Sequence, residues 1–229
     1  MGQFGSITLD LLNGFASSFF LFILTMLISI PLGLLMCVCT MSKFRPLKWL
    51  FQGIVLVLRG TPLMLQIFVI FYVPGLLFNF QWPSMNTGWI WFDQTFSTRF
   101  IAALVAFGIN YAAYFSEIFR GGILSIPKGQ FEAGAVLGMS KGEVFFKVIL
   151  LQMIKRIVPP MGNEIITLVK DTSLANVIAV TELMFRAQQK LNDGLIWPIF
   201  YAGLFYLIFN TIVTYLLKLT EKKLEYIKI

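Results

Sequence analysis

Apolar residues run along this chain in long blocks, and charge collects in the shorter stretches between them. A helix needs about 20 mostly apolar residues to cross the hydrocarbon core of a bilayer. Five blocks reach that length: Phe15 to Met41, Trp49 to Phe80, Phe100 to Phe119, Ile157 to Val180 and Leu195 to Leu217. The pattern predicts an all-α integral membrane protein with about five transmembrane helices. No internal repeat or soluble domain stands out, so residues 1–229 read as one membrane domain. The second block is interrupted by Arg59-Gly60-Thr61-Pro62, which breaks or kinks a helix. A bilayer tolerates that only where protein or water satisfies the freed backbone groups.

Charge then sets the orientation. Lys43, Arg45 and Lys48 follow the first block. Arg120, Lys128, Lys141, Lys147, Lys155 and Arg156 lie between the third and fourth, and Lys218, Lys222, Lys223 and Lys228 close the chain. The alternate connections are poorer, with Asp10, then Asp93 and Arg99, then Arg186 and Lys190. The positive-inside rule makes the basic side cytoplasmic, with the N-terminus outside and the C-terminus inside. A cytoplasmic loop of about 120–156 and an external loop of about 81–98 follow. Trp82, Trp89 and Trp91 in the external loop suit the headgroup level; a docking surface for an external partner is the alternative.

Composition agrees. The chain is 58% hydrophobic and 13% charged, against about 45–50% and 25% in soluble domains. Its net charge of +7 flanks the apolar blocks rather than gathering on one face, which speaks for membrane topology and membrane lipid as a partner, not nucleic acid. Cys37 and Cys39 stand two residues apart and point to different helix faces, so they read as packing residues. The first block lacks a preceding basic stretch and a following small-residue cleavage site, and reads as a retained span. There is no phosphate-cradling Gly-x-x-x-x-Gly-Lys-Ser/Thr loop, no histidine and no metal-ligand cluster. The chain is therefore not expected to hydrolyse ATP or to bind a cofactor or metal, and no catalytic residue is assigned.

The cytoplasmic loop is polar but retains helical spacing, in Phe131, Ala135 and Gly138 and again in Val144, Phe145 and Val148. Gly138 and Gly142, with Ser140 and Lys141 between them, predict a turn separating two short helices. By itself this fits a helix-in-groove docking element and an interfacial hairpin lying on the membrane equally well. Glu132-Ala133-Gly134, then Gly138, then Val148-Ile149-Leu150-Leu151-Gln152 resembles the cytoplasmic signature of permease subunits of bacterial ATP-binding-cassette importers. Arg59-Gly60-Thr61-Pro62-Leu63, the run from Tyr114 through Glu117, Arg120-Gly121-Gly122-Ile123, Ser125 and Gly129-Gln130, and Lys170-Asp171-Thr172-Ser173-Leu174 resemble the polar amino acid branch of that family. Two positions depart: Gly134 stands where the family usually has Ala, and Leu151 where it usually has Pro.

The resemblance implies a type I importer permease fold in the cell membrane. It implies a cytoplasmic ATPase dimer that uses the ATP, a second permease (an identical or a similar chain), and an extracytoplasmic amino-acid-binding protein. It also implies that residues 131–142 form the coupling element, with Glu132, Ala133, Gly138, Met139 and Ser140 as ATPase-coupling residues. Glu132 is expected near a helix start, where a carboxylate suits the helix dipole. An ion-coupled carrier is one rival class, but such proteins usually have more spans and internal repeats. A structural or channel-forming membrane protein without coupling is the other, and it leaves the cytoplasmic loop unexplained.

Ionisable residues inside spans point to function by default. Glu164, Thr167 and Asp171 share one face of the fourth block, and Asn110, Tyr114 and Glu117 one face of the third. Two such stripes could line a path for a polar amino acid. Asp171 can accept from its ammonium, while Thr172, Ser173 and backbone N–H groups can donate to its carboxylate. Gln66, Asn110 and Tyr114 are further path candidates. The plainer alternative is that Lys170 pairs with Asp171 and that the polar residues bond across helices. Glu117 and Glu164 are expected to pair with Arg120 or Arg156.

Overall fold

The computed structural model describes residues 3–84 and 95–225, and these are helical with no strand; Trp89 and Trp91 lie outside them. The helices are α1 (Gln3–Thr40), α2 (Arg45–Gly60), α3 (Leu63–Phe78), α4 (Thr98–Leu124), α5 (Lys128–Val136), α6 (Lys141–Val144), α7 (Leu150–Asp171), α8 (Leu183–Asn192) and α9 (Trp197–Glu225). A π-helical turn, Phe145–Ile149, leads into α7, and a 3-10 turn, Thr172–Ile178, continues from it.

Among the described residues, three helices can cross a membrane alone by length and apolarity: Gln3–Thr40, Thr98–Leu124 and Trp197–Leu224. α2 and α3 together make a fourth candidate, bent by 111°. The bend falls where Thr61-Pro62 interrupts the second block, both residues being extended. The fourth apolar block does not qualify in the same way. α7 carries Lys155, Arg156, Glu164, Lys170 and Asp171 and buries a narrower apolar stripe of Met153, Ile157, Leu168 and Val169.

α4 is the centre of the packing and touches α1, α2, α3 and α7. Small residues permit this: Ala102, Ala103, Ala106, Ala112 and Ala113 are all buried. A Cβ on Gly33 of α1 would stand 3.0 Å from the Ala112 carbonyl oxygen, so close backbone approach holds α1 on α4, as at other membrane helix contacts. α1 is 38 residues long, or ~57 Å at 1.5 Å per residue. Its first turns pack with α8 and the start of α9. There Asp10 pairs with Arg186 and Lys190 of α8. Glu182, fully buried, caps α8 by accepting from the Met184 and Phe185 N–H groups, and also from Ser18 of α1 and Tyr206 of α9. Cys37 is buried and Cys39 half-buried, and neither forms a disulfide.

Candidate translocation cavity and coupling hairpin

The break between α2 and α3 creates a problem in hydrogen bonding, and its solution builds the site. The Leu58 carbonyl would normally accept from residue 62, but that residue is Pro62, which has no N–H. Gln66 Nε2 donates to Leu58 O at 2.7 Å and to Thr61 Oγ1 at 2.9 Å. Asn110 Nδ2 of α4 donates to Leu58 O at 3.2 Å and to Gln66 Oε1 at 3.0 Å. Both amide residues are buried. They tie the broken span to α4, which is the cross-helix role the sequence also allowed.

Beside this clamp lies a cavity of about 610 Å³, lined by Arg59, Thr61, Asn110, Tyr114, Glu164 and Asp171 among others. The two polar stripes read from the sequence therefore face one space. Tyr111 Oη donates to Asp171 Oδ2 at 2.7 Å, linking α4 to α7. The start of α3 also reaches the cavity through Leu63, with Thr61 and Pro62 of the break just before it, and no side chain caps that helix. Its unpaired N–H groups carry the positive end of the helix dipole.

Thr172 and Ser173 do not line this cavity. Thr172 is buried and its hydroxyl donates to Val169 O at 2.9 Å; Ser173 donates to Lys170 O at 2.8 Å. The backbone passes from α-helix to 3-10 helix here without a gap, and short hydroxyl side chains readily turn back on the preceding turn. Glu117 pairs as expected, held by Arg120 at 2.6 and 2.9 Å, with Arg59 at 3.8 Å. Glu164 departs from expectation, forming no ion pair among the described residues and facing the cavity, while Arg156 donates to Ser125 O. Glu164 and Thr167 line the cavity as members of the fourth block's polar stripe, whereas Arg59 and Tyr111 line it without having been selected by sequence reasoning. Tyr111 sits off the helical stripe, and Arg59 reads as part of a helix-breaking motif.

The cytoplasmic loop folds as the predicted pair of short helices, α5 and α6. Gly138 adopts φ +72°, the left-handed region that glycine takes without strain. Ser140 and Glu143 form a reciprocal capping box at α6: Ser140 Oγ accepts from Glu143 N and Glu143 Oε2 accepts from Ser140 N. Gly134 is buried against α6, and a Cβ there would stand 2.4 Å from Val144 Cγ2. The departure from alanine at this position is thus matched by a bulky residue facing it. Leu151 continues α7, as a leucine can.

One expectation for the loop is corrected. Glu132 is the fifth residue of α5, beyond the first turn where a carboxylate would feel the dipole. The stripe of Phe131 and Ala135 faces outward, because the hairpin's own core is Ile126, Val144 and Ile149 with Met139 packed on it. Glu132, Ala133, Gly138 and Ser140 are exposed, whereas Met139 is half-buried.

Residues 29–226 match the family described as the binding-protein-dependent transport system inner membrane component. This chain belongs to that family. Its members are the membrane permease subunits of ATP-binding-cassette importers, with the ATPase in a separate subunit, so the chain is not itself an enzyme. It is 42% identical over 167 residues to the L-cystine transport system permease protein TcyB of Bacillus subtilis, covering 73% of this chain and 64% of that one. The match therefore spans a little under two thirds of TcyB. The arginine transport system permease protein ArtQ of the same organism is 36% identical over 217 residues, covering 94% and 92%. Among solved structures, an amino acid ABC transporter determined with histidines superposes with a TM-score of 0.81 at 28% identity over 96% of both chains. The inward-facing MetNI methionine transporter gives 0.67 at 16% identity over 98% and 99%, which speaks to the fold alone. The type I importer permease fold is shared throughout.

Proposed function

We propose that this chain is the transmembrane subunit of an importer that moves a polar amino acid across the cell membrane, driven by ATP hydrolysis in a cytoplasmic ATPase dimer. The observation that carries this reading is the cavity at the α2–α3 break, where Asp171, Tyr114 and Asn110 line a space large enough for a small ligand. The names of the relatives, all amino acid permeases, support the substrate class. Asp171 accepts from the ammonium. The uncapped first turn of α3 adds a positive dipole end that favours a carboxylate nearby, as half-helices do in other transporters. Gln66 and Asn110 hold the break open.

In this reading residues 1–229 form one permease domain with five crossings, α7 and its 3-10 extension making the fourth by burying their charged face in protein. The N-terminus lies outside and the C-terminus in the cytoplasm. An extracytoplasmic binding protein delivers the amino acid, and a second permease completes the pathway. The hairpin over 131–142 docks in a cleft of the ATPase through the exposed Glu132, Ala133, Gly138 and Ser140, with Met139 bracing it from within. Its apolar surface supports this: Val136 and Leu137 are 87% and 78% exposed, more than a hairpin with no partner would leave in water.

Affinity purification of the tagged chain from mild detergent tests the proposal. An ATPase subunit recovered in near-equal amount is expected, together with any second permease. Recovery of the chain alone, even after cross-linking, would remove ATP coupling.

A further inference from the structure

Arg59 borders two spaces. It lines the 610 Å³ cavity and also an adjoining one of about 500 Å³ that includes Tyr114, Glu117 and Arg120. Its guanidinium lies 5.2 Å over the Tyr114 ring and 3.8 Å from Glu117. Glu117, however, is already held by two closer contacts from Arg120. Arg59 therefore keeps donors free, and its side chain is 42% exposed. The hydroxyls that the sequence offered for carboxylate binding, on Thr172 and Ser173, are bonded to backbone carbonyls.

We propose that Arg59 receives the α-carboxylate of the transported amino acid while Asp171 takes its ammonium, and that Glu164 makes the site select a cationic side chain. The inference rests on reading the cavity as the translocation site. A guanidinium matches a carboxylate with two parallel hydrogen bonds, which fixes orientation as well as charge. Two carboxylates, Asp171 and Glu164, and one guanidinium, Arg59, line the larger cavity. A zwitterion matches Arg59 and Asp171 one to one, which leaves Glu164 over. Arg120 and Glu117 pair with each other and do not alter that balance. A neutral side chain leaves Glu164 unmatched, and an acidic one opposes it. Because Arg59 lines both spaces, a carboxylate it holds can pass between them without losing its partner.

The test is equilibrium binding of radiolabelled L-arginine, L-glutamine and agmatine (arginine without its carboxylate) to the purified permease–ATPase complex in nanodiscs. L-Arginine should bind more tightly than the other two. Arg59→Met should weaken L-arginine about tenfold or more, the loss of a charge-assisted contact, and leave agmatine no weaker. Arg59→Lys should fall between, and Glu164→Gln should bring L-arginine and L-glutamine together. Asp171→Asn should weaken all three. If Asp171→Asn does so while Arg59→Met binds L-arginine like the parent complex, the translocation site stands and the role of Arg59 falls. A parent complex that prefers L-glutamine overturns the selectivity. One that binds no amino acid overturns the reading of the cavity and this inference with it.

Discussion

At the α2–α3 break, polar side chains sit among apolar helices, and Gln66, Asn110 and Tyr111 each have a named partner. In the hairpin from Lys128 to Ile149 the reverse holds, since Val136, Leu137 and Phe146 stand 70–87% exposed on a polar loop. Both regions place residues against their surroundings, and the two cases differ in what resolves them. The polar groups that hold the break, Gln66, Asn110 and Tyr111, are satisfied within the chain, so the chain alone positions the cavity walls and leaves Arg59 and Glu164 open to it. The hairpin satisfies only its own turn, through Gly138, the capping box and the Gly134–Val144 contact. Its outer surface is left uncovered within the chain, and in the proposed reading the ATPase covers it. Changes in the two regions should therefore fail differently, the hairpin by losing a partner and the cavity by losing a ligand.

The largest separation between them should come from Glu132→Lys. Glu132 is exposed and lies outside the hairpin's apolar core, so insertion and fold should survive. Uptake should be abolished and ATPase recovery in pull-downs should collapse, while amino acid binding to the permease persists. Normal uptake at normal expression would remove the hairpin from coupling.

Gly134→Ala sharpens the same contrast from within the hairpin. The added Cβ meets Val144 Cγ2 at 2.4 Å, and overpacking of this kind costs about 1–3 kcal/mol. Uptake should fall because α5 and α6 separate, with faster amide exchange confined to residues 128–149. Gly134→Ala with Val144→Ala should recover most of the loss, since the second change removes the obstructing methyls. Failure of the pair to recover would show that the contact does not set the hairpin's geometry.

The blocks, the break at Thr61-Pro62 and the turn at Gly138 were all legible in the sequence, because apolar length, proline and glycine act locally. The membership of the Asn110–Tyr114 and Asp171–Glu164 stripes was legible too, as helical periodicity, while their sharing one cavity needed the fold. What sequence reasoning missed depends on tertiary geometry. Thr172 and Ser173 look like ligands until the backbone continues helically past them and offers their hydroxyls a carbonyl. Glu182 looks like a loop acid until Ser18 and Tyr206 close over it from helices more than 150 and about 20 residues away. Arg59 looks like punctuation next to Gly60, and only the fold sets it on a cavity wall.

In the cavity, Tyr111→Phe should have a moderate effect. It removes the 2.7 Å hydrogen bond to Asp171 Oδ2 and keeps the ring among Phe107 and Phe115. Water in the cavity can replace the donor, so the cost should be ~0.5–1.5 kcal/mol, a few-fold to about tenfold in substrate affinity. ATPase recovery should not change. A loss of ATPase recovery would mean that the two regions are coupled more tightly than their separate construction implies.

The smallest effect separates the regions by pH. Glu143 is held well below its ordinary 4.5, at about 2, by the hydrogen bond from Lys147 first and then by those from the Ser140 backbone and hydroxyl. A carboxyl whose folded pKa is depressed contributes stability above its unfolded value and loses it as pH falls towards the folded one. The contribution of the capping box should therefore be complete above about pH 4.5 and should fade between 4.5 and 2. Because Glu143 is fully exposed, solvent screens the pair and the change should be local. Amide exchange at Glu143 and Val144, corrected for its intrinsic pH dependence, should accelerate over that interval. Glu143→Gln should flatten the response, because glutamine does not titrate and no longer pairs with Lys147. An unchanged acid response in Glu143→Gln would place the sensitive group elsewhere in the hairpin and leave the capping box without a measurable part in holding it.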